Sequence, residues 1–274
     1  MIIDGHQHFW KYNPVRDSWI DDSMQVIRRN FLPEDVLPHY QTNSIDGCIA
    51  VQADQSLEET DFLLGLAKTY SFIKGVVGWV DLCDNSVEES LAHYSTFNAF
   101  KGVRHILQAE HQDFMLSASF LHGIGKLEKY GLTYDILVFP NQLQAAKKLV
   151  KKFPNQFFVL DHLGKPYIKD GRILNWKKDL QELAQLPNVS CKVSGLVTEA
   201  NWEKWTPDVF EPYLDVVFEA FGCDRLLFGS DWPVSNLAAN FNEVLSIVKN
   251  YTATLTENER SKIMANNAIK FYKL

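Results

Sequence analysis

Two histidines one residue apart, His6 and His8, stand at the end of the first apolar run, in Asp4-Gly5-His6-Gln7-His8. On an extended backbone, residues i and i+2 project to the same side, so both imidazoles can reach one metal ion or one substrate oxygen. A second cluster, Asp161-His162-Leu163-Gly164-Lys165-Pro166, directly follows the apolar run Phe157-Phe158-Val159-Leu160. His162 is a candidate third ligand or hydrogen-bond donor; Asp161 either orients a histidine or supports the interior. A third cluster, Phe228-Gly229-Ser230-Asp231-Trp232-Pro233, offers the Asp231 carboxylate as a general base toward water or as a metal ligand. Gly229 permits close packing there, and Trp232 can wall a pocket. Each cluster alone also has a plainer explanation, as polar residues ending a strand or a Ser230-Asp231 helix cap.

Further polar residues sit where apolar runs end. Arg104 and His105 close Gly102-Val103-Arg104-His105, where an arginine fork can hold a carboxylate or adjacent hydroxyls and a histidine can donate to a carbonyl. Lys192, in Ser190-Cys191-Lys192-Val193-Ser194-Gly195, interrupts an apolar run; burying it is costly unless it is paired or functional. A salt bridge to a barrel aspartate is its structural explanation; Tyr134 and Asp135 are further polar residues within the fifth run. Gln52 with Asp54, and Trp79 with Asp81, are weaker pocket candidates.

The elements that must position these residues alternate from end to end. Short β-rich runs cover residues 2–6, 45–51, 73–80, 102–106, 132–138, 157–160, 189–193 and 225–228. Several are apolar on consecutive residues, as expected of parallel strands buried on both faces. Helical patterns fill the gaps: capping boxes are expected at Ser56/Glu59, Ser86/Glu89 and Thr256/Glu259. One apolar face runs through Leu143, Ala146, Leu149 and Val150, and another through Phe210, Leu214, Val217 and Phe221 up to Gly222. Eight strands with intervening helices predict an α/β protein, a single (β/α)₈ barrel domain over residues 1–274. The length agrees, since one such barrel needs about 250 residues. Three long segments exceed simple connections: 9–33, with Trp10 and Trp19, then 164–175 and 195–207. They follow strands, where a barrel builds its substrate pocket.

Bulk properties remove other classes. The chain is 46% hydrophobic and 22% charged, enough for a large core, and its net charge of −7 argues against nucleic-acid binding. None of the four cysteines forms a C-x-x-C pair, which fits reduced thiols in a cytoplasmic protein. No membrane span and no signal peptide are expected. Aromatic clusters on the loops are compatible with a homo-oligomer.

Together, His6-x-His8, Gly102-Val103-Arg104-His105, Asp161-His162-Leu163-Gly164-Lys165-Pro166, Lys192-Val193-Ser194-Gly195-Leu196 and Phe228-Gly229-Ser230-Asp231-Trp232-Pro233 resemble the "amidohydrolase 2" branch of the amidohydrolase superfamily. The likeness extends to Asn267-Ala268 and Phe271-Tyr272 and is greatest to sugar-lactone hydrolases acting on L-fuconolactone or L-rhamnonolactone. It implies a distorted (β/α)₈ barrel that opens a small-molecule lactone. His6, His8, His162 and Asp231 match the catalytic positions, or the ligands if one divalent ion is present, zinc before manganese; a metal-free site is the other case. Arg104, His105 and Lys192 match positions near substrate, with Gln52, Trp10, Trp19 and Trp232 as further substrate contacts. The absence of a second late histidine and of a bridging lysine argues against a two-metal centre. The competing expectations are a metal-dependent decarboxylase, an amide hydrolase, and a binding barrel without turnover.

Overall fold

Each strand-like run pairs with the next in chain order. A computed structural model, describing residues 1–274, forms one parallel sheet from β1 (Ile3–Gln7), β2 (Gly47–Val51), β3 (Ile73–Gly78), β4 (Phe100–His105), β5 (Thr133–Ile136), β6 (Phe158–Leu160), β7 (Val189–Val193) and β8 (Leu226–Phe228). All eight expected strands are present, within two residues at each end. The ring closes where β1 meets the segment after β8. Asp231 N donates to His6 O at 2.9 Å, and His8 N donates to Trp232 O at 2.8 Å.

The helices are α1 (Pro33–Asn43), α2 (Leu57–Thr69), α3 (Val87–Tyr94), α4 (Ala118–Leu127), α5 (Leu143–Lys152), α6 (Leu174–Ala184), α7 (Glu211–Phe221), α8 (Phe241–Tyr251), α9 (Glu257–Ser261) and α10 (Asn267–Tyr272). Two of the three expected caps need correction. Ser56 caps α2 through Glu59 N, but the Glu59 carboxylate turns away to accept from Ala53 N. Ser86 makes no side-chain cap because its hydroxyl donates to Asp84. Thr256 and Glu259 form the reciprocal box as expected.

The larger apolar core, led by outward strand residues such as Val76, Val103, Tyr134 and Phe158, fills the space between sheet and helices. A smaller cluster fills the base of the barrel: Ile3, Ile49, Val51, Val77, Val159 and Leu227, sealed from below by Ala265, Ala268 and Tyr272. Above this plug the interior turns polar.

β1 carries the local irregularity that makes this possible. Its pairing runs Asp4 with Cys48 and then Gln7 with Ala50, so β1 holds one residue more than β2 over that step. Such a bulge reverses side-chain parity. Ile3 faces inward and Asp4 outward against Tyr40 of α1, yet His6 faces inward again. Gly229 lies alongside, and a Cβ there would stand 2.6 Å from the His6 Cβ, so only glycine admits the imidazole at this height.

Tyr272 is more than an apolar plug. Its hydroxyl donates to Asp135 Oδ2 at 2.9 Å, and Asp135 Oδ1 has no partner. Tyr272→Phe is therefore expected to lower unfolding free energy by about 1–2 kcal/mol, because it deprives a buried carboxyl of a donor. Urea denaturation measures this, and an unchanged midpoint with an unchanged slope would contradict it.

Candidate active site

The ends of β1, β6 and β8 converge above the plug. His6 Nε2 and His8 Nε2 lie 3.1 Å apart, and Asp231 Oδ1 lies 3.8 Å from the first and 3.5 Å from the second. His162 Nε2 stands 3.8 Å from the same carboxylate oxygen. The structure thus brings together the four residues expected to do chemistry.

Backbone conformation aims two of these four. His162, Leu163, Gly164 and Lys165 all have left-handed φ, between 51° and 69°, and Asp231 has φ 56°. For non-glycine residues this region costs roughly 1–2 kcal/mol each, so a left-handed turn carrying three of them is held by its surroundings. It turns His162 toward Asp231 and Lys165 toward the loop after β7. Gly195 makes room, since a Cβ there would lie 2.6 Å from the His162 ring.

Beneath the cluster lies a layer of buried charge. Lys192 Nζ contacts Asp135 Oδ2 at 2.5 Å, Asp161 Oδ1 at 3.0 Å and His6 Nδ1 at 3.0 Å. Arg104 Nη1 donates to Asp161 Oδ2 at 3.0 Å and approaches His6 Nε2 at 3.3 Å, while Nη2 donates to the Gln52 carbonyl. Burial opposes the Asp161 charge, but Lys192, His6 and Arg104 hold this carboxyl well below the usual carboxylate range. At Asp135 burial outweighs Lys192 and pushes the pKa up to about 6.

Burial opposes ionisation of Asp231 too, yet His162, His8 and His6 hold it well below the ordinary value, so it is a carboxylate at neutral pH. Burial lowers His162 to about 4, and burial with the neighbouring Lys192 charge lowers His6 well below its ordinary value, so both imidazoles are neutral at pH 7. His8 Nδ1 lies 2.8 Å from the Val51 carbonyl, which only accepts, so that nitrogen carries the proton and Nε2 offers a lone pair to the site. At His6, Nδ1 faces both the Lys192 ammonium at 3.0 Å, which only donates, and Asp161 Oδ1 at 3.4 Å, which only accepts; the tautomer with its proton on Nδ1 toward Asp161 is the one that leaves a lone pair on Nε2.

This donor chemistry fits one divalent ion. In that His6 tautomer the two imidazole lone pairs, 3.1 Å apart, repel unless a proton or cation lies between them. That spacing, with the 3.5 and 3.8 Å contacts to Asp231, approaches the edge of ~3.3 Å expected for a tetrahedron of ligands about 2 Å from zinc. Donors within mutual reach form two triads that share His6: His6–His8–Asp231, and His6–Asp161–His162. Asp161 thus joins the ligand candidates. Arg104 is the cation that competes for the His6 lone pair.

A cavity of about 450 Å³ opens above the cluster, lined by His8, Arg104, His162 and Asp231 at its floor and Trp10 and Trp19 higher up. The other expected substrate contacts are not on its wall. His105 follows Arg104 on a strand and so points to the opposite face, stacked on Phe114 with Nε2 facing Glu110. Lys192 is sealed beneath His6 with no exposure. Gln52 is buried behind Arg104 and accepts from its guanidinium. Trp232 turns away from Asp231 to pack on Phe31 and His39. Lining residues not anticipated include Trp202, Gln55, Gln108, Lys165 and Glu199. The long segments 9–33, 164–175 and 195–207 supply many of them, as their position after strands implied.

The amidohydrolase family pattern matches residues 3–274. An L-fucono-1,5-lactonase of Burkholderia multivorans is 39% identical over 99% of this chain and 96% of its own length. An L-fucono-1,5-lactonase of Burkholderia ambifaria is 34% identical over 99% and 95%. The crystal structure of an amidohydrolase from Burkholderia multivorans with bound zinc superposes with a TM-score of 0.97 at 39% identity, covering 100% of this chain and 99% of that one.

The lowered His162 pKa sets a pH expectation. A histidine with the ordinary value of 6.5 would lose its lone pair to a proton as pH falls through that value. His162, at about 4, keeps it until pH approaches 4. The His162 ring, followed by NMR through a pH titration, is therefore expected to stay neutral between pH 7 and 5.5 and to take up its second proton only below. Protonation across that upper interval would mean an imidazole titrating near the ordinary histidine value.

Proposed function

The chain belongs to the amidohydrolase family, and we propose that it hydrolyses a sugar 1,5-lactone of the L-fucono-lactone kind to the open hydroxy acid. One observation carries this reading: an ionised Asp231 is ringed by three imidazole nitrogens on the floor of a cavity large enough for one sugar ring. The two L-fucono-1,5-lactonases that match nearly the whole chain support the choice of substrate. The same reading takes residues 1–274 as one catalytic unit, working in the cytoplasm on a small lactone.

Asp231 accepts a proton from water as the water attacks the lactone carbonyl, and returns it to the ring oxygen when that bond breaks. His6, His8 and Asp231 would hold a divalent ion, which when bound would supply Lewis acidity toward the carbonyl oxygen. His162 can donate to the oxyanion from Nε2 when its Nδ1 accepts from Ser194 Oγ, 2.9 Å away. His8, with its proton committed to Val51, offers a lone pair and no donor. Arg104 fixes Asp161 and His6, and meets substrate only with the edge it shows to the cavity. Trp10 and Trp19 pack against the less polar face of the ring and limit water.

The test is acid release from L-fucono-1,5-lactone followed by pH indicator. The wild-type protein is expected to turn it over, and Asp231→Asn to lower kcat/KM by about 10²- to 10⁴-fold with the fold intact by circular dichroism. Full turnover by the folded variant would overturn the assignment. Loss of activity on chelation, restored by zinc, would make the His6–His8–Asp231 triad a working metal site. Activity surviving chelation in a zinc-free sample would leave the protein groups as the whole machinery.

A further inference from the structure

We propose that Lys165 and Glu199 form a specificity pair that reads neighbouring hydroxyls on an uncharged lactone and rejects lactones bearing a ring carboxylate. The proposal rests on the lactonase reading above and deepens it. Lys165 Nζ and Glu199 Oε1 meet at 2.8 Å on the cavity wall, with side-chain exposures of 17% and 15%. Lys165 is delivered by the left-handed turn that also aims His162, and Glu199 by the loop after β7. Recognition and chemistry therefore share one backbone device.

Charge balance at the cavity selects the ligand class. The charged groups on its wall are Arg104, Lys165, Glu199 and Asp231. Arg104 is neutralised by Asp161 and Lys165 by Glu199, so no side-chain cation on the wall is free to receive a substrate carboxylate, and a divalent ion at His6, His8 and Asp231 would be committed to the lactone carbonyl. A carboxylated lactone would have to displace Glu199 from Lys165. Hydroxyls need no such displacement: one donates to the Glu199 carboxylate while its neighbour accepts from the Lys165 ammonium. The neutral amides of Gln55 and Gln108 extend the same polar face, and Trp10, Trp202 and Met24 offer apolar wall for the C–H face of a ring. A ligand lacking hydroxyls would leave each charged head only its ion-pair partner, with the remaining ammonium protons and carboxylate lone pairs desolvated and unmet, which is how a polar site discriminates.

Three lactones test this: L-fucono-1,5-lactone, δ-valerolactone, which has no ring hydroxyls, and 2-pyrone-4,6-dicarboxylate. Wild-type kcat/KM is expected to favour the first over the second by about 100-fold or more, and Lys165→Met or Glu199→Gln to cut that ratio by about tenfold or more. Glu199→Gln, which unmasks Lys165, is expected to raise turnover of the dicarboxylate relative to L-fucono-1,5-lactone, while Lys165→Met is not. If the pair only clasps two loops, the variants will slow the first two lactones in parallel and the ratio will not move. That result, or a wild type that opens the dicarboxylate as readily as the sugar lactone, overturns the proposal. If the folded wild type opens none of the three, the lactonase reading falls and this inference with it.

Discussion

Everything at this site depends on two backbone hydrogen bonds that close the barrel, from Asp231 N to His6 O and from His8 N to Trp232 O. The residues that complete the ring are themselves the residues we propose for the chemistry or their immediate neighbours. Closure and assembly of the centre are one event. The Asp4 carboxylate reinforces the seam from outside, accepting from Ser230 N at 2.8 Å, Ser230 Oγ at 2.5 Å, Tyr40 Oη at 3.1 Å and His6 N at 3.2 Å. With the β1 bulge between them, Asp4 grips the seam outside while His6 and His8 face inward. A strand of regular parity would have put all three on one side.

The charged layer under His6 is the second constraint. Burying Lys192, Arg104, Asp135 and Asp161 together is a poor way to gain stability, because desolvation offsets much of the attraction. Its value lies in orientation. Lys192 and Asp161 flank the His6 ring, Arg104 spans Asp161 and Gln52, and Tyr272 steadies Asp135 from the plug below. Removing one member would strand its partner in a low-dielectric interior, at a cost of about 3–5 kcal/mol. The layer is therefore rigid, and the histidine above it inherits that rigidity.

Much of this was legible from residue types. Consecutive apolar residues revealed eight strands buried on both faces, and two-residue spacing placed His6 and His8 on one side. The failures also have physical causes. Reading Arg104 and His105 as one site ignored strand alternation, which sends neighbours to opposite faces. Lys192 was correctly marked as a lysine needing a partner, but a strand pattern reports which face a residue takes and not its depth along the barrel axis. Trp232 beside Asp231 looked like pocket wall until the left-handed φ of Asp231 turned the chain. Lys165, Glu199 and Trp202 lie in long loops, where no periodicity links sequence to direction. The left-handed turn over residues 162–165 was hidden because only one of its four residues is glycine.

The seam joins segments very distant in the chain: Ser230 and Asp4, which it brings together, are 226 residues apart. Contacts of such separation are among the last a chain makes, since the loop they close must be organised first. A molecule with seven strands in place already holds its histidines and lysine, yet lacks the carboxylate that would make them a centre. With Asp231 as the proposed base, turnover is then an all-or-none gauge of a finished ring. A population of partly folded barrels would show up as a lower count of working molecules, with each working molecule as fast as any other.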